Sequence, residues 1–359
     1  MRGMGRGDIP PYRFKDIVEM GEDYVRLSLN ENFVLPPDRV IKAGYRAINS
    51  INRYPEIDGY SLRRKIATSL KLTSDMVFLS GGSILLIYTL LYAFSDASGE
   101  VIAPKVSFAA YPSAVLASGA RYLVFDNEGT WGMDVDKILA LVNEKTQVIL
   151  LCSPNNPTGA IMTRDDLIKL LNNIPPNVLV ILDEAYYEYV ENPNYHYDSH
   201  HLIATYPNLV ILRTFSKAYS LAGARIGYGI GVPRIWEIAG NYQPVYILNR
   251  AALAMAYAIY GDKDHIEKVR RLSKKGREFL ISKLRSLGFE IAGNPEANFM
   301  MVKPTCGKDA KLLKRELKEK KILVNETSLY GLPGWLRITV GAEKENEYLV
   351  ETLAKLCAI

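Results

Sequence analysis

The middle of the chain contains short runs of Val, Ile and Leu in which apolar residues follow one another instead of alternating with polar ones. Strands buried on both faces of a parallel sheet have this pattern. Segments with helical spacing, such as 113–120 and 164–174, lie between the runs. We therefore predict an α/β protein in which helices cover both faces of a mostly parallel sheet. The predicted strands lie in MVFLSGG (76–82), EVIAPKVSF (100–108), RYLVFD (121–126), QVILLCSPNNPTG (147–159), NVLVILDEAYY (177–187) and NLVILRTFSK (208–217).

The pattern changes near residue 262. Residues 262–288 have the periodicity of one long amphipathic helix, and short strand-like segments and further helices follow it. We expect a large domain over residues 41–261 and a smaller α+β domain over residues 262–359. Residues 1–40 favour neither strand nor helix strongly, and we expect them to pack beside the small domain and the substrate site.

The charge and hydropathy patterns argue against two classes of partner. The chain carries 44 Lys and Arg against 39 Asp and Glu, and the basic residues are scattered, so we expect no nucleic-acid partner. The longest apolar stretch, 84–94, is shorter than the roughly 20 residues of a membrane-spanning helix, so it predicts a buried helix and no membrane partner. No apolar run follows the N-terminal charges, so we expect no signal peptide and a cytoplasmic location.

The three cysteines, Cys152, Cys306 and Cys357, form no C-x-x-C motif and no paired framework. We expect free thiols in a reducing cytoplasm. His200 and His201 are adjacent, which is poor spacing for a pair of metal ligands on one helix, and we expect no metal site.

Several predicted strands end in small or polar residues. Ligands of open α/β sheets bind at the carboxyl ends of the strands, so one pocket could collect these side chains. The residues that it could collect are Ser83, Asn156, Asp183, Tyr186, Ser216 and Lys217.

Asp183 and Lys217 each end an apolar strand, where an unpaired charge is costly. One interpretation is an ion pair that holds the two strand ends together. The other is that both residues bind one cofactor. Pyridoxal phosphate requires a lysine, an acid beside its pyridine nitrogen, donors to its ring hydroxyl and an anion site for its phosphate.

Neighbouring residues suit the other requirements of that cofactor. Gly82 and Ser83 open a predicted helix directly after a strand, where free N–H groups can bind phosphate. For the phosphate, Thr214 and Ser216 offer hydroxyls and Arg225 offers a guanidinium. Asn156 and Tyr186 can donate to the ring hydroxyl, and Phe108 can stack on the ring. A Gly-Gly-Ser turn or a core phenylalanine alone would be uninformative, and the prediction rests on their combination at strand ends.

With these residues in place, the chain resembles the fold type I pyridoxal-phosphate enzymes of aminotransferase class I/II, and most closely the histidinol-phosphate aminotransferase branch. The resemblance covers nearly the whole chain. The segments that carry it are SLNEN (28–32), RYPEIDGYSLRRKIA (53–67), CSPNNPTG (152–159), DEAYYEY (183–189), TFSKAYSLAGARIGY (214–228), EANF (296–299) and LRITVG (336–341).

The resemblance implies a role for each candidate residue. Lys217 would form the Schiff base and move a proton, Asp183 would pair with the pyridinium, and Tyr186 would hold the ring hydroxyl as the third catalytic residue. Tyr54 would reach the cofactor of a neighbouring subunit, which implies a homodimer. The implied cofactor-binding residues are Gly82, Ser83, Ile84, Phe108, Asn156, Asp183, Tyr186, Thr214, Ser216, Lys217, Arg225 and Tyr54.

For the substrate, the resemblance implies that Arg337 binds the α-carboxylate, and the alternative for Arg337 is a salt bridge at a strand edge. The other implied substrate-binding residues are Tyr12, Asn32, Asn156 and Asn325. The implied reaction moves an amino group from a donor, first of all histidinol phosphate, to a 2-oxo acid such as 2-oxoglutarate.

The chain departs from the branch at three places. An apolar pair stands at 84–85 in place of an acidic pair, and Phe33 stands in place of proline. Asn325 replaces an arginine that binds the phosphate of the substrate, which removes a charge-assisted contact worth roughly 1.5–3 kcal/mol. Arg13 or Lys15 could compensate for that charge.

Three alternatives to this donor and this reaction stay open. Asn325 favours an aromatic amino acid as the donor. A decarboxylase that resembles threonine-phosphate decarboxylase would use the same cofactor site. A cofactor-binding regulator would add a DNA-binding domain before residue 1, and we expect no room for one.

Overall fold

The computed structural model describes residues 23–195 and 198–357. In chain order its strands are β1 (Val25–Arg26), β2 (Val77–Ser80), β3 (Glu100–Pro104), β4 (Arg121–Phe125), β5 (Thr146–Cys152), β6 (Leu179–Asp183), β7 (Leu209–Thr214), β8 (Gly227–Ile230), β9 (Glu290–Ile291), β10 (Phe299–Lys303), β11 (Ile322–Leu323), β12 (Asn325–Glu326) and β13 (Leu336–Thr339).

The helices cover the sheets and connect their strands. In chain order they are α1 (Asp38–Ile48), α2 (Tyr60–Leu70), α3 (Ser83–Phe94), α4 (Tyr111–Ser118), α5 (Val135–Leu139), α6 (Arg164–Asn172), α7 (Pro233–Ala239), α8 (Arg250–Ile259), α9 (Lys263–Ser286), α10 (Ala310–Glu319) and α11 (Glu343–Cys357).

Within the described residues, the large sheet has seven strands in the order β2-β8-β7-β6-β5-β3-β4. Five neighbouring strands, from β7 to β4, pair in parallel, which confirms the predicted mostly parallel sheet. Successive residues of one strand face different layers: Val148 and Leu150 pack with one apolar cluster, and Ile149 and Leu151 with the other. Burial on both faces explains why these strands are continuously apolar.

Strand β8 is the one element of this sheet that sequence reasoning missed. It runs antiparallel to both of its neighbours, β2 and β7. Two of its four residues are glycines, which lower strand propensity. A Cβ atom on Gly227 would lie 2.6 Å from the Ser83 nitrogen, so glycine allows β8 to lie against the start of α3.

The C-terminal part confirms the predicted long helix, since α9 spans Lys263–Ser286 and the Asp262 side chain accepts a hydrogen bond from the backbone N–H of His265. A four-stranded antiparallel sheet follows, in the order β12-β13-β10-β9. Strand β1 pairs in parallel with β11, which joins the N-terminal segment to this region. The domain boundaries at residues 40 and 261 stay predictions.

The prediction of three free thiols is wrong for two of them. Cys306, before α10, and Cys357, at the end of α11, form a disulfide with a Cα–Cα distance of 5.5 Å. They are 51 residues apart with no motif between them, so no local spacing could reveal the pair. Cys152 is free, as predicted, and the structure shows that it is buried. Over the two described ranges, none of the helices combines the length and apolar character needed to cross a membrane.

Candidate active site

A cleft of about 340 Å³ opens where strands β5, β6 and β7 end and helix α3 begins. It receives most of the residues that the sequence singled out for one pocket. The predicted site residues that line it are Ser83, Ile84, Phe108, Asn156, Asp183, Tyr186, Thr214, Ser216, Lys217, Arg225, Asn325 and Arg337.

Three predicted site residues are placed differently, and a fourth is not described. Gly82 lies beside the cleft, directly before α3. Tyr54 is exposed and stacks on Tyr246 with a ring-centre distance of 4.3 Å. Asn32 does not line the cleft, because its amide donates to the Ala218 carbonyl and to Ser220. Tyr12, like Arg13 and Lys15, lies outside the described residues.

Asp183 is the last residue of β6, between β5 and β7, and its side chain is buried. The Tyr111 hydroxyl donates to Oδ2 at 3.1 Å, and the backbone N–H of Ala185 donates to Oδ1 at 3.1 Å. Burial raises the pKa of the Asp183 carboxyl to about 6, although both hydrogen bonds oppose the shift. The carboxylate is therefore held where a positively charged partner would stabilise it.

The Lys217 amine is held by the N-terminal segment. Its Nζ atom donates to the carbonyls of Leu29 at 3.0 Å and Asn30 at 3.2 Å. Burial, and then the charges of Arg337 and Arg225, lower the pKa of this amine to about 7. The simple ion pair with Asp183 is not formed, so the amine is free to react as a base or nucleophile near neutral pH.

The start of α3 and Arg225 form an anion-binding corner. No side chain caps the first turn of α3, so its N–H groups face the cleft. Arg225 donates to the Ser216 hydroxyl at 3.3 Å, and Ser216 in turn donates its backbone N–H to Thr214 Oγ1 at 3.1 Å. A Cβ atom on Gly82 would lie 2.8 Å from Arg225 Nη2, so glycine lets the guanidinium approach the helix.

Tyr186 and Asn156 line the same cleft as Lys217 and Arg337. The Lys217 amine is 5.4 Å from the centre of the Tyr186 ring. The Tyr186 hydroxyl accepts a hydrogen bond from Asn30 Nδ2 at 3.0 Å, and Asn156 Oδ1 accepts one from Arg337 Nη1 at 2.7 Å. Phe108 also lines the cleft.

Arg337 is buried on β13, which lies between β12 and β10. Its Nη1 donates to Asn156 and Tyr330, and its Nη2 to the Ser28 carbonyl. Its Nε–H is buried and has no partner among the described residues. The strand-edge salt bridge is therefore not formed there, and a buried, unneutralised guanidinium suits an incoming carboxylate.

Sequence reasoning missed three residues of this site. Asn30 stands in the left-handed region at φ +54° and contacts both Lys217 and Tyr186. Tyr111 donates to Asp183, and Tyr330 lines the cleft beside Arg337. Asn30 lies within SLNEN, a segment that carries the family resemblance, but the residue predicted from that segment was Asn32. Tyr111 and Tyr330 lie in no motif that distinguishes them.

The residues present fit pyridoxal phosphate. A buried carboxylate, an amine with a lowered pKa and an anion-binding corner face one cleft of suitable size. The unpartnered Nε–H of Arg337 offers a further anion contact. This donor set matches the acid, lysine and phosphate requirements of that cofactor.

A family model, "Aminotransferase class I and II", matches residues 22–353. The histidinol-phosphate aminotransferase of Symbiobacterium thermophilum is 34% identical over 336 residues, with 93% of this chain and 91% of that relative covered. The chain therefore belongs to the aminotransferase class I and II family. This confirms the resemblance, and with it the class of pyridoxal-phosphate-dependent aminotransferases.

Two solved structures are similar in fold. One is histidinol-phosphate aminotransferase from Sinorhizobium meliloti in complex with pyridoxal-5'-phosphate, with a TM-score of 0.85, 23% identity, and 92% of this chain and 90% of that chain covered. The other is L-threonine-O-3-phosphate decarboxylase from Porphyromonas gingivalis, with a TM-score of 0.80, 23% identity, and 92% and 98% covered. Both confirm the predicted fold type I architecture, and fold alone does not separate the two reactions.

Proposed function

We propose that this aminotransferase moves an amino group from histidinol phosphate, as the first donor to test, to a 2-oxo acid such as 2-oxoglutarate. The observation that carries the proposal is the Lys217 amine, whose pKa is lowered to about 7 in the same cleft as buried Asp183 and Arg337. A base with a pKa near neutrality is suited to moving a proton at neutral pH.

The cofactor would be held at three points. Asp183 would pair with the pyridine nitrogen, Ser216 and Arg225 would bind the phosphate with the first N–H groups of α3, and Lys217 would bind the aldehyde carbon. When bound, pyridoxal phosphate supplies an electron sink for the bond that breaks at the donor Cα. Asn156 and Tyr186 would orient the ring through its hydroxyl group, and Thr214 would support the phosphate.

The protein's own residues would then do two tasks. Lys217 Nζ would remove the proton from the donor Cα, and Arg337 would hold the carboxylate of the acceptor with the help of its unpartnered Nε–H. For an amino-acid donor, whose α-carboxylate Arg337 could also hold, the bond that breaks would be the one aligned with the cofactor's electron system.

The relative at 34% identity supports histidinol phosphate as the donor. A specific observation supports an aromatic amino acid as a second candidate. The cationic side chains that line the described cleft are Lys217, Arg225 and Arg337, and each already has a proposed partner. Asn325 therefore leaves no charge among them for a phosphorylated side chain.

One assay separates these candidates. Purified holo-protein is mixed with single amino donors and no acceptor, and the cofactor spectrum is followed. Conversion to the pyridoxamine form by one donor identifies an aminotransferase and its donor. Release of CO₂ without that conversion would instead favour the decarboxylase, and silence with every donor would contradict both.

We also propose a homodimer in which Tyr54 contacts the neighbouring subunit's cofactor. Exposed apolar side chains near Tyr54, including Ile57 and Val245, support a contact surface there. Light scattering would measure the mass in solution, and Tyr54→Phe should weaken cofactor retention only if the hydroxyl reaches the other site. A monomer that retains full activity would contradict this arrangement.

The cytoplasmic location remains a proposal as well. The disulfide between Cys306 and Cys357 is the feature least typical of a reducing compartment. Fractionation of cells that produce the full chain, with thiol counting on the recovered protein, tests both points together.

A further inference from the structure

Tyr330 occupies a fixed position beside the proposed carboxylate site. It ends a short 3₁₀ turn, Thr327–Tyr330, and the turn closes at Gly331, whose φ is +73°. Thr327 anchors the turn by contacts from its hydroxyl to the carbonyls of Leu332 and Trp335. Tyr330 itself is buried, so its hydroxyl has a defined place in the wall of the cleft.

The hydrogen bonds of that hydroxyl leave one donor unused. Its oxygen accepts from Arg337 Nη1 and, in a long contact of 3.5 Å, from Asn325 Nδ2. A tyrosine oxygen has two lone pairs and one proton, so both acceptor positions are occupied. No described residue accepts the proton, and burial raises the pKa of Tyr330, so the proton stays on the oxygen.

The groups around this unused donor suit an anion. Asn325 and Arg337 are direct partners across the β12–β13 pair, so the strands hold both groups around the hydroxyl. The contact with the Arg337 cation polarises the O–H bond and strengthens it as a donor. An anion held by Arg337 would therefore meet a second donor from Tyr330.

We propose that Tyr330 is a substrate-binding residue whose hydroxyl donates to the carboxylate of the 2-oxo acid beside Arg337. This rests on the proposed function, which assigns that carboxylate to Arg337. The Tyr330 hydroxyl and the Asn325 amide are both neutral, so beyond Arg337 this wall of the cleft would offer no charge to the rest of the substrate. Tyr330 thus binds the carboxylate and favours an uncharged substrate group beside that carboxylate.

Glutarate is a suitable probe because it has the two carboxylates of 2-oxoglutarate but no keto group, so it binds without reacting. Holo-protein is titrated with glutarate while the cofactor absorbance is followed, for the unchanged chain and for Tyr330→Phe. Loss of one hydrogen bond to a charged group predicts a dissociation constant raised about 10-fold or more. Tyr92→Phe, the same change at an exposed position on α3, should leave it within about twofold.

Thermal unfolding and cofactor content check that Tyr330→Phe is folded. In that variant, the half-reaction with 2-oxoglutarate should slow more than the half-reaction with histidinol phosphate, which has no carboxylate. Loss of folding would affect both equally, so this ratio remains informative for a destabilised variant. Equal slowing of the two half-reactions would overturn the proposal.

Glutarate affinity unchanged by Tyr330→Phe would also overturn it, while amino transfer by the unchanged protein would keep the proposed function. Conversely, weakened glutarate binding with no amino transfer from any donor would support the role of Tyr330 and contradict the proposed function. Failure of the unchanged holo-protein to bind glutarate would overturn the carboxylate site itself.

Discussion

The two ends of the cleft are built in different ways. At the cofactor end, Asp183 ends β6, Ser216 and Lys217 follow the end of the neighbouring parallel strand β7, and Arg225 comes from the next turn of the chain. At the substrate end, Arg337 is held by Ser28, which is 309 residues away, and by Asn156, which is 181 residues away. The first end is assembled by one sheet, and the second by three distant segments.

Because of this difference, we expect substitutions to have different effects at the two ends. A strand end in the large sheet is fixed by ladder hydrogen bonds and by burial on both faces, so its side chains keep their positions when a neighbour changes. The substrate end depends on side-chain contacts between segments, so a single substitution there can change specificity. We therefore expect changes at the cofactor end to affect retention and chemistry, and changes at the substrate end to affect affinity.

The largest effect is expected for Lys217→Ala. Without the amine, the cleft loses the group proposed to take the Cα proton, so amino transfer should fall by about 10²–10⁴-fold. The 2-oxo acid half-reaction measured by stopped flow, together with the visible absorbance of the lysine-bound cofactor, checks this. Lys169→Ala, at an exposed site, is the control. Retained absorbance in Lys217→Ala would show that another residue binds the cofactor.

Arg337→Gln should impair substrate binding without impairing cofactor binding. Loss of the bidentate charge predicts a rise of about 100-fold in the KM for the 2-oxo acid, whereas cofactor retention should stay near that of the unchanged protein. Steady-state kinetics and cofactor content after dialysis measure the two properties. Arg234→Gln, exposed on α7, should alter neither. Cofactor loss in Arg337→Gln would mean that the two ends are not independent.

A smaller change, in the preference between amino donors, is expected for Asn325→Arg. A cation at this position should favour a phosphorylated donor over an aromatic one by roughly tenfold in kcat/KM, because it restores one charge-assisted contact. Asn325→Leu removes the amide without adding charge and is the matched control. If Arg and Leu variants share one donor preference, charge at position 325 does not determine the donor.

The effect of pH on cofactor capture is expected to be of the same size as that of Asn325→Arg. Only the neutral form of Lys217 attacks a carbonyl, and with its pKa at about 7 the neutral fraction rises as pH increases through that value. Capture of pyridoxal phosphate by apoprotein should therefore speed up by about tenfold from pH 6 to pH 8 and then level off. A rate that keeps rising tenfold per pH unit above pH 8 would indicate an ordinary lysine.

Much of the cofactor end could be predicted because continuous apolar strands and polar strand ends are local signals. The six predicted strands of the large sheet each overlap an observed strand, and their ends bring Asp183 and Lys217 into one cleft. Strand β8 was missed because its glycines are required by close packing, Gly227 against the start of α3 and Gly229 against Trp236 of α7, which a single sequence does not reveal.

The substrate end was predicted less completely for a physical reason. Arg337 entered through the resemblance, and nothing in its local spacing indicates contact with Ser28 or Asn156. Asn30 and Tyr330 acquire their roles only when segments that are far apart in the chain meet. The Cys306–Cys357 pair was missed for the same reason, because its partners converge through the packing of the C-terminal region.

The pairing of β1 with β11 also has a consequence for protein synthesis. Val25 is partnered by Ile322, which the ribosome adds roughly 300 residues later. At about 5–20 residues per second this takes roughly 15–60 s. Until then the carbonyls of Leu29 and Asn30 lack the strands that position them against Lys217. A nascent chain can complete its large sheet early, but it acquires a working lysine only as translation ends.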